Sequence, residues 1–499
     1  MREEQARNAL KALQQFYLTP LDALLKSADV EDIVLPLFAR VARHVPAHAA
    51  FLAENDIDAT QVNSLESFRQ LPMVTKENYL RRHELADLCW QGKLENCDMV
   101  AVSSGSTGTP TFWPRFVSDE VQVAVRFEQI FHDSFEADYK STLAVICFAL
   151  GTWVGGIYTL NCCRHLAAKG YPITIIAPGN NKEEIFRVVT ELGAAFDQVA
   201  LLGYPPFLKD VIDSGLARGI TWNKYNIKLV MAGEVFSEEW RDLMGERAGM
   251  TKPLFDSASL YGTADAGVLG NETPLSICIR RFLSRTPEAA HRLFGESRLP
   301  TLVQYDPANR YFETTPEGTL LFTGDNGIPL IRYHIADNGG LMSYQKMLEF
   351  LREWDFGPLA ELAGQRGARP LPFVWVFGRS NFTVSYYGAN IYPENVTVGL
   401  EQPGIKEWVT GKFVLEADED ESKNRILRIV VELAPEEFAN EQRQESAAIS
   451  IETHLKRLNS EFANYVPEGR HRPQVELRAI GDAEYFPPGV KHRYTRQKI

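Results

Sequence analysis

The chain has 499 residues, 45% of them hydrophobic and 23% charged, with a formal net charge of −13. That length exceeds one ordinary core and implies two or three globular domains. The acidic balance argues against a nucleic acid as main partner, because such binders carry a basic face.

The N-terminal stretch MREEQARNAL is charged and holds no apolar signal segment, so a cytoplasmic chain is expected. Leu10, Leu13 and Tyr17 stand at helical spacing, and residues 30–44 read as a second helix interrupted by Pro36. These helices are expected to form an outer layer. Residues 141–163 lack any charge, but Gly151, Trp153, Gly155, Gly156 and Asn161 interrupt the run. A buried strand, a glycine loop and a helix start explain it better than a membrane span.

The six cysteines (Cys89, Cys97, Cys147, Cys162, Cys163, Cys278) form no CxxC pair and are expected to be reduced thiols. Cys162, Cys163 and His165 would point apart on one helix, which favours core or surface roles over a zinc site.

From residue 141 strands and helices alternate. Residues 172–177 read as a strand, after which Asn181 caps a helix with a face of Ile185, Val188, Val189 and Leu192, closed by Gly193. A strand at 198–203, a helix at 206–216, a strand at 227–232, a helix from Ser237 and a strand entering Leu260-Tyr261-Gly262 follow. Such units imply a largely parallel sheet with helices on both faces and ligands at the strand ends. After residue 300 the pattern becomes strand-rich, with turns at Pro316-Glu317-Gly318 and Asp325-Asn326-Gly327. A boundary falls near 378–382, and the last 120 or so residues read as a compact α+β domain with an acidic loop at 416–424.

Ser103-Ser104-Gly105-Ser106-Thr107-Gly108-Thr109-Pro110 concentrates hydroxyls and glycines directly after the apolar residues 99–102. Glycines let a backbone approach a polyphosphate, whose oxygens N–H groups and hydroxyls can bind. No GK[ST] follows, so the segment is not a Walker loop. Here the sequence resembles the adenylate-forming superfamily, whose phosphate loop reads SG-S/T-TG-x-P, and within it the phenylacetate-CoA ligase-like branch. Leu71-Pro72-Met73-Val74-Thr75-Lys76, Met231-Ala232-Gly233-Glu234 with the following Ser237-Glu238-Glu239-Trp240-Arg241, and Pro329-Leu330-Ile331-Arg332-Tyr333-His334-Ile335-Ala336-Asp337 are similar to further segments of that branch, in the same order.

The resemblance implies an α/β fold: a large N-terminal domain with mostly parallel sheets flanked by helices (1–378), a hinge at 379–381 and a small mobile α+β domain (382–499). It implies an ATP-dependent ligase that forms an acyl-AMP and then an acyl-CoA thioester from an aromatic or other small carboxylic acid. Ser103 to Gly108 would hold the β- and γ-phosphates. Gly233, Glu234, Tyr261, Gly262 and Thr263 would line the adenine pocket, Asp337 would bind the ribose hydroxyls, and Arg379 would contact the nucleotide near the hinge. Asp265 stands where the family has a glutamate that helps hold Mg2+, and Lys491, displaced by one residue from the family pattern, would be the catalytic lysine, with Lys498 as its alternative. Gly388 would line the coenzyme A tunnel. Phe148, Trp153, Gly156 and Tyr204 fall where the acyl pocket is expected. The expected partners are a small acid and coenzyme A or a carrier-protein thiol, with no nucleic acid, no membrane and a homodimer as an option. Two other readings stay open at this point: a stand-alone adenylating enzyme with a carrier-protein or amine acceptor, and a nucleotide-binding protein that has lost catalysis.

Overall fold

Between residues 142 and 263 the chain alternates strand and helix, and the side chains of its strands divide between two cores. The computed structural model describes residues 2–25, 29–102, 111–151, 154–233, 235–295, 299–379, 384–387, 389–419, 425–459, 462–463, 466–467, 469–487, 492 and 494–495. A short hairpin, β1 (Met99–Val102) and β2 (Phe112–Arg115), precedes the alternating region. That region then contributes β3 (Thr142–Ile146), β4 (Ile173–Ile176), β5 (Gln198–Gly203), β6 (Ile227–Ala232) and β7 (Ser257–Thr263). β3 and β5 are buried at every position, as unbroken apolar runs covered on both faces require. Leu143, Val145 and Cys147 enter one core with Val199, Leu201, Leu229 and Met231, under the helices Lys182–Leu192, Pro205–Ala217 and Glu238–Ala248. Ala144, Ile146 and Phe148 enter the opposite core with the helices Val117–Asp133 and Val154–Lys169. The two-residue period of a strand produces this division.

The sheet continues through β8 (Gly267–Asn271), β9 (Thr301–Gln304), β10 (Tyr311–Thr314), β11 (Thr319–Gly324), β12 (Leu330–Met342) and β13 (Phe373–Arg379). Its eleven strands run in the order β10-β11-β12-β13-β9-β8-β7-β6-β5-β3-β4. The segment β7-β6-β5-β3-β4 is parallel, and the segment from β7 to β10 pairs antiparallel throughout. β7 is therefore the strand at which the two halves meet.

The smaller C-terminal α+β part has its own core. A hairpin of β14 (Val384–Tyr386) and β15 (Ala389–Ile391) accompanies the sheet of β16 (Val409–Glu419), β17 (Arg425–Leu433) and β18 (Gln474–Arg478). The helices Pro393–Leu400 and Glu441–Leu458 pack over it.

Several local expectations change. Pro36 lies inside an unbroken helix, Glu31–His44, whose buried face of Val34, Leu37, Phe38 and Val41 outweighs one missing N–H bond. Leu192 is 42% exposed, so the helix face ends at Val189. Gly193 has an ordinary right-handed conformation, and glycine is needed there because a Cβ would lie 2.8 Å from the Tyr225 ring. The acidic segment from 416 begins as strand rather than loop: β16 reaches Glu419, and the buried Glu416 accepts from its cross-strand partner Arg428. The helix Tyr344–Arg352 lies within the strand-rich region. Cys162 and Cys163 are buried, and His165 bridges Tyr17 and Glu120 at 2.7 and 2.6 Å, tying the helix Arg2–Leu18 to the body. Among the described residues no helix is long and apolar enough to cross a membrane.

Candidate active site

β7 and β8 are joined by a tight turn at 264–266. A Cβ on Gly262 would stand 2.8 Å from the Gly267 carbonyl, so only glycine lets the two strands close at this point. The Thr263 hydroxyl accepts the Ala266 N–H at 3.2 Å, and the buried Arg115 guanidinium donates to the Ala264 carbonyl. Asp265, 2% exposed, is thereby fixed at the turn. Its Oδ2 accepts the Tyr333 hydroxyl at 2.5 Å and lies 3.5 Å from the Lys76 ammonium.

Lys76 reaches this point because its own segment is stitched to β12. Val74 N donates to Arg332 O at 3.1 Å, and His334 N donates to Val74 O at 2.9 Å. The Lys76 ammonium also stands 6.0 Å from the Trp113 ring centroid. Neither Lys76 nor Tyr333 received a role from the sequence, although both lie inside motifs that it displays. What a linear motif lacks is the bridge that joins them.

On β12 the buried positions Tyr333, Ile335 and Asp337 follow the two-residue period and share one face. Arg332 and Ala336, which directly precede Tyr333 and Asp337, have φ of 47° and 66°, left-handed values that cost a non-glycine residue roughly 1–3 kcal/mol each. Arg332 is held there by its N–H bond to the Thr323 hydroxyl at 2.9 Å and its ion pair with Glu313 at 3.1 Å. Local strain thus flanks the two residues that face the turn and β7. The Asp337 Oδ2 accepts the Tyr261 hydroxyl at 2.8 Å, and Asp337 pairs in register with Arg379 of β13.

The acyl-pocket candidates come from the parallel half. Phe148 and Tyr204, and with them the adenine-pocket candidate Gly233, follow the C-terminal ends of β3, β5 and β6, where ligands of open α/β sheets gather. Phe148 and Tyr204 meet edge to face with centroids 5.1 Å apart. Gly233 has φ of 92°, and a Cβ there would come within 2.7 Å of the Tyr204 ring. A Cβ on Gly155 would sit 3.8 Å from the Tyr204 hydroxyl, while one on Gly156 would collide with the Ala149 carbonyl at 2.3 Å. Three strand ends and one glycine-rich helix start therefore converge around a single ring.

The structure thus joins Tyr261 to Asp337, and Phe148 to Tyr204 and Gly233. It adds Lys76 and Tyr333 to Asp265. Ser103 to Gly108, Trp153, Glu234, Gly388, Lys491 and Lys498 lie outside the described residues. Nearby, burial pushes the Asp119 carboxyl up to about 7, although Arg115 opposes the shift. Among the described residues no three His, Cys, Asp or Glu side chains are grouped to hold a metal ion. Asp265 alone still fits magnesium carried by a nucleotide, because that ion keeps phosphate and water ligands and uses only one or two carboxylates.

No protein-family model matches the sequence, and no curated protein matches it. Solved structures do. Over 94% of this chain and 89% of theirs, two structures of 2-hydroxyisobutyryl-CoA ligase in the postadenylation state align with TM-scores of 0.65 (with 2-HIB-AMP, 17% identity) and 0.63 (with R3-HIB-AMP, 16% identity). A third, of the same enzyme with 2-HIB-AMP and CoA in the thioesterification state, aligns at 0.53 with 16% identity over the same shares. The chain has the fold of the adenylate-forming CoA ligases.

Proposed function

We propose that the protein is an ATP-dependent acid–thiol ligase of the adenylate-forming superfamily, which activates a small carboxylic acid as an acyl-AMP and transfers the acyl group to coenzyme A. One observation carries the reading. Two carboxylates from separate motifs, Asp337 and Asp265, are each held by a tyrosine hydroxyl between β12 and β7 and the turn that follows it, beside the ends of the parallel strands. A buried carboxylate oriented by a tyrosine hydroxyl is suited to hold a ribose diol or a magnesium–phosphate unit.

In the first half-reaction the acid's carboxylate attacks the α-phosphate of ATP, and pyrophosphate leaves. Ser103 to Gly108 would hold the β- and γ-phosphates, Gly233, Glu234, Tyr261, Gly262 and Thr263 the adenine, and Asp337 and Arg379 the ribose side. Magnesium supplies neutralising charge on the phosphates when bound with ATP, and Asp265 would hold it. Lys76 adds a cation beside that carboxylate, and Lys491 would add one at the reacting oxygens, where negative charge accumulates. In the second half-reaction a thiolate attacks the acyl carbon and AMP leaves, with Gly388 lining the thiol's path. Residues 1–378 would bind both substrates, and residues 382–499 would turn about the hinge at 379–381 between steps. No protein nucleophile is needed; catalysis rests on positioning and electrostatics.

Phe148, Trp153, Gly156 and Tyr204 would receive the acid. An aromatic wall beside glycines suits a small, flat or apolar acid.

The test is acid-dependent exchange of pyrophosphate into ATP across a panel of small acids, run with and without coenzyme A. Exchange together with a CoA thioester is expected. Exchange without thioester would move the assignment to another acceptor, and tight ATP binding without exchange would remove the enzyme altogether.

A further inference from the structure

The C-terminal part meets the body along a seam made of hydrogen bonds and ion pairs. The Lys209 ammonium, 2% exposed on the helix Pro205–Ala217, donates to the Val409 carbonyl at the start of β16 at 2.7 Å. Arg247, on the helix Glu238–Ala248, donates to the Lys406 carbonyl at 2.8 Å. Asp213 pairs with both cations, at 2.9 Å from Lys209, and so holds them side by side. Lys406 stands 3.7 Å from Glu246. Two of these bonds end on backbone carbonyls of the C-terminal part, so they read the position of its chain rather than a side chain that could follow a movement.

Glu401 completes the seam. It follows the helix Pro393–Leu400, and its Oε2 accepts the hydroxyl of Ser237, the residue that caps the helix Glu238–Ala248. Its other oxygen, Oε1, is buried and has no hydrogen-bond partner among the described residues. An ionised carboxylate in that position has one oxygen desolvated and uncompensated, whereas a protonated carboxyl leaves far less charge buried. We infer that Glu401 is a proton-sensitive positioning residue: its carboxyl seats the C-terminal part on the helices Pro205–Ala217 and Glu238–Ala248 when protonated and releases it when ionised.

The electrostatics agree with this geometry. Burial pushes the Glu401 carboxyl up to about 8 against the Ser237 hydrogen bond, with Glu239 adding to the rise and Lys209 and Arg280 opposing it. These are the charged groups that face it from the helices Glu238–Ala248, Pro205–Ala217 and Pro274–Arg285. Once the seam opens, Glu401 meets water and returns to the ordinary carboxylate range. The docked state therefore binds the proton more tightly, and linkage fixes the sign. Docking is fully favoured at pH below the ordinary carboxylate range, weakens as pH rises, and reaches its floor once pH passes about 8. Within that window each pH unit changes the docking equilibrium by up to about tenfold.

In a two-step ligase, the balance between seated and released states would divide time between adenylation and thioester formation. That consequence rests on the proposed reaction; the docking itself does not. The experiment therefore reads docking directly, on the full chain without substrates. Small-angle X-ray scattering and amide hydrogen exchange over Pro205–Ala217 and Val409–Glu419 are followed from pH 5.5 to 9 for the wild type, Glu401→Gln and Lys209→Met. The wild type is expected to expand and lose protection at the seam as pH rises. Glu401→Gln, a permanently neutral side chain of the same shape, is expected to stay docked with no pH dependence. Lys209→Met is expected to weaken docking while keeping a pH-dependent slope, moved to higher pH because Lys209 no longer opposes the rise of the Glu401 carboxyl, which separates a general loosening from loss of the titrating group. An unchanged wild-type profile, or a Glu401→Gln profile that follows the wild type, would overturn the inference. Failure here would leave pyrophosphate exchange untouched, so it would be distinguishable from failure of the proposed function.

Discussion

The two halves of the central sheet prepare a ligand site by opposite means. The parallel half contributes absence: Gly155 leaves room beside the Phe148 and Tyr204 rings, and Gly156 leaves room beside the Ala149 carbonyl. The antiparallel half contributes charge, with Asp265 and Asp337 buried and pinned by Tyr333 and Tyr261. A parallel sheet exposes loop backbone at its strand ends, so shape is controlled there by what is left out. In the antiparallel half, bulged strands face one another along their length, and paired side chains can be locked across the gap. The comparison predicts that substitutions on the charged side act on the nucleotide step, while those on the glycine side act on the acid.

The largest effect is expected at the junction of the halves. Asp265→Ala removes the carboxylate that the Tyr333 hydroxyl and the Lys76 ammonium meet, and should cost about 2–4 kcal/mol of stability. It should also lower pyrophosphate exchange by roughly 100-fold or more. Asp265→Asn keeps an acceptor for Tyr333, so urea midpoints should recover in large part while exchange stays low. Equal recovery of both would reduce Asp265 to a structural residue.

Gly156→Ala tests the other side. The added Cβ would meet the Ala149 carbonyl at 2.3 Å and push the loop before the helix Val154–Lys169, which costs roughly 1–3 kcal/mol. The expected signature is a rise of about tenfold in KM for the acid, with KM for ATP changing far less. If ATP suffers as much as the acid, the division between the halves fails.

Sequence periodicity was enough to locate β5 and β6 to the residue and the helix capped by Asn181, because their apolar runs face two cores and leave no ambiguity of register. It misjudged the segment from 416, where acidic residues suggested a loop. A buried glutamate is stable inside β16 only because Arg428 stands opposite, and that partner is a property of the pairing. The same limit applied at the site. Asp265 and Asp337 were legible as motif positions, but the tyrosines that hold them come from each other's neighbourhoods: Tyr261 lies four residues before Asp265, and Tyr333 four before Asp337. The exchange of partners, each hydroxyl reaching the other motif's carboxylate, follows from the placement of β12 near β7 across the intervening strands, and no local pattern encodes it.

That crossed arrangement gives the smallest and sharpest test. Tyr261→Phe removes only the hydroxyl that donates to Asp337, in a position 8% exposed where the ring itself packs into the core beside Phe312. Packing is conserved, so the loss should be that of one hydrogen bond to a carboxylate, about 1–2 kcal/mol. Because Asp337 is proposed to hold the ribose throughout the reaction, the interaction is uniform between bound substrate and transition state, and the cost should appear in KM for ATP, raised about fivefold to thirtyfold, with kcat unchanged. Tyr333→Phe makes the equivalent deletion at Asp265, beside the phosphates, where charge changes during the reaction, and its cost should fall on kcat. If the two variants lose the same parameter, the two carboxylates do not divide the nucleotide between ribose and phosphate, and the roles assigned along β12 must be exchanged or merged.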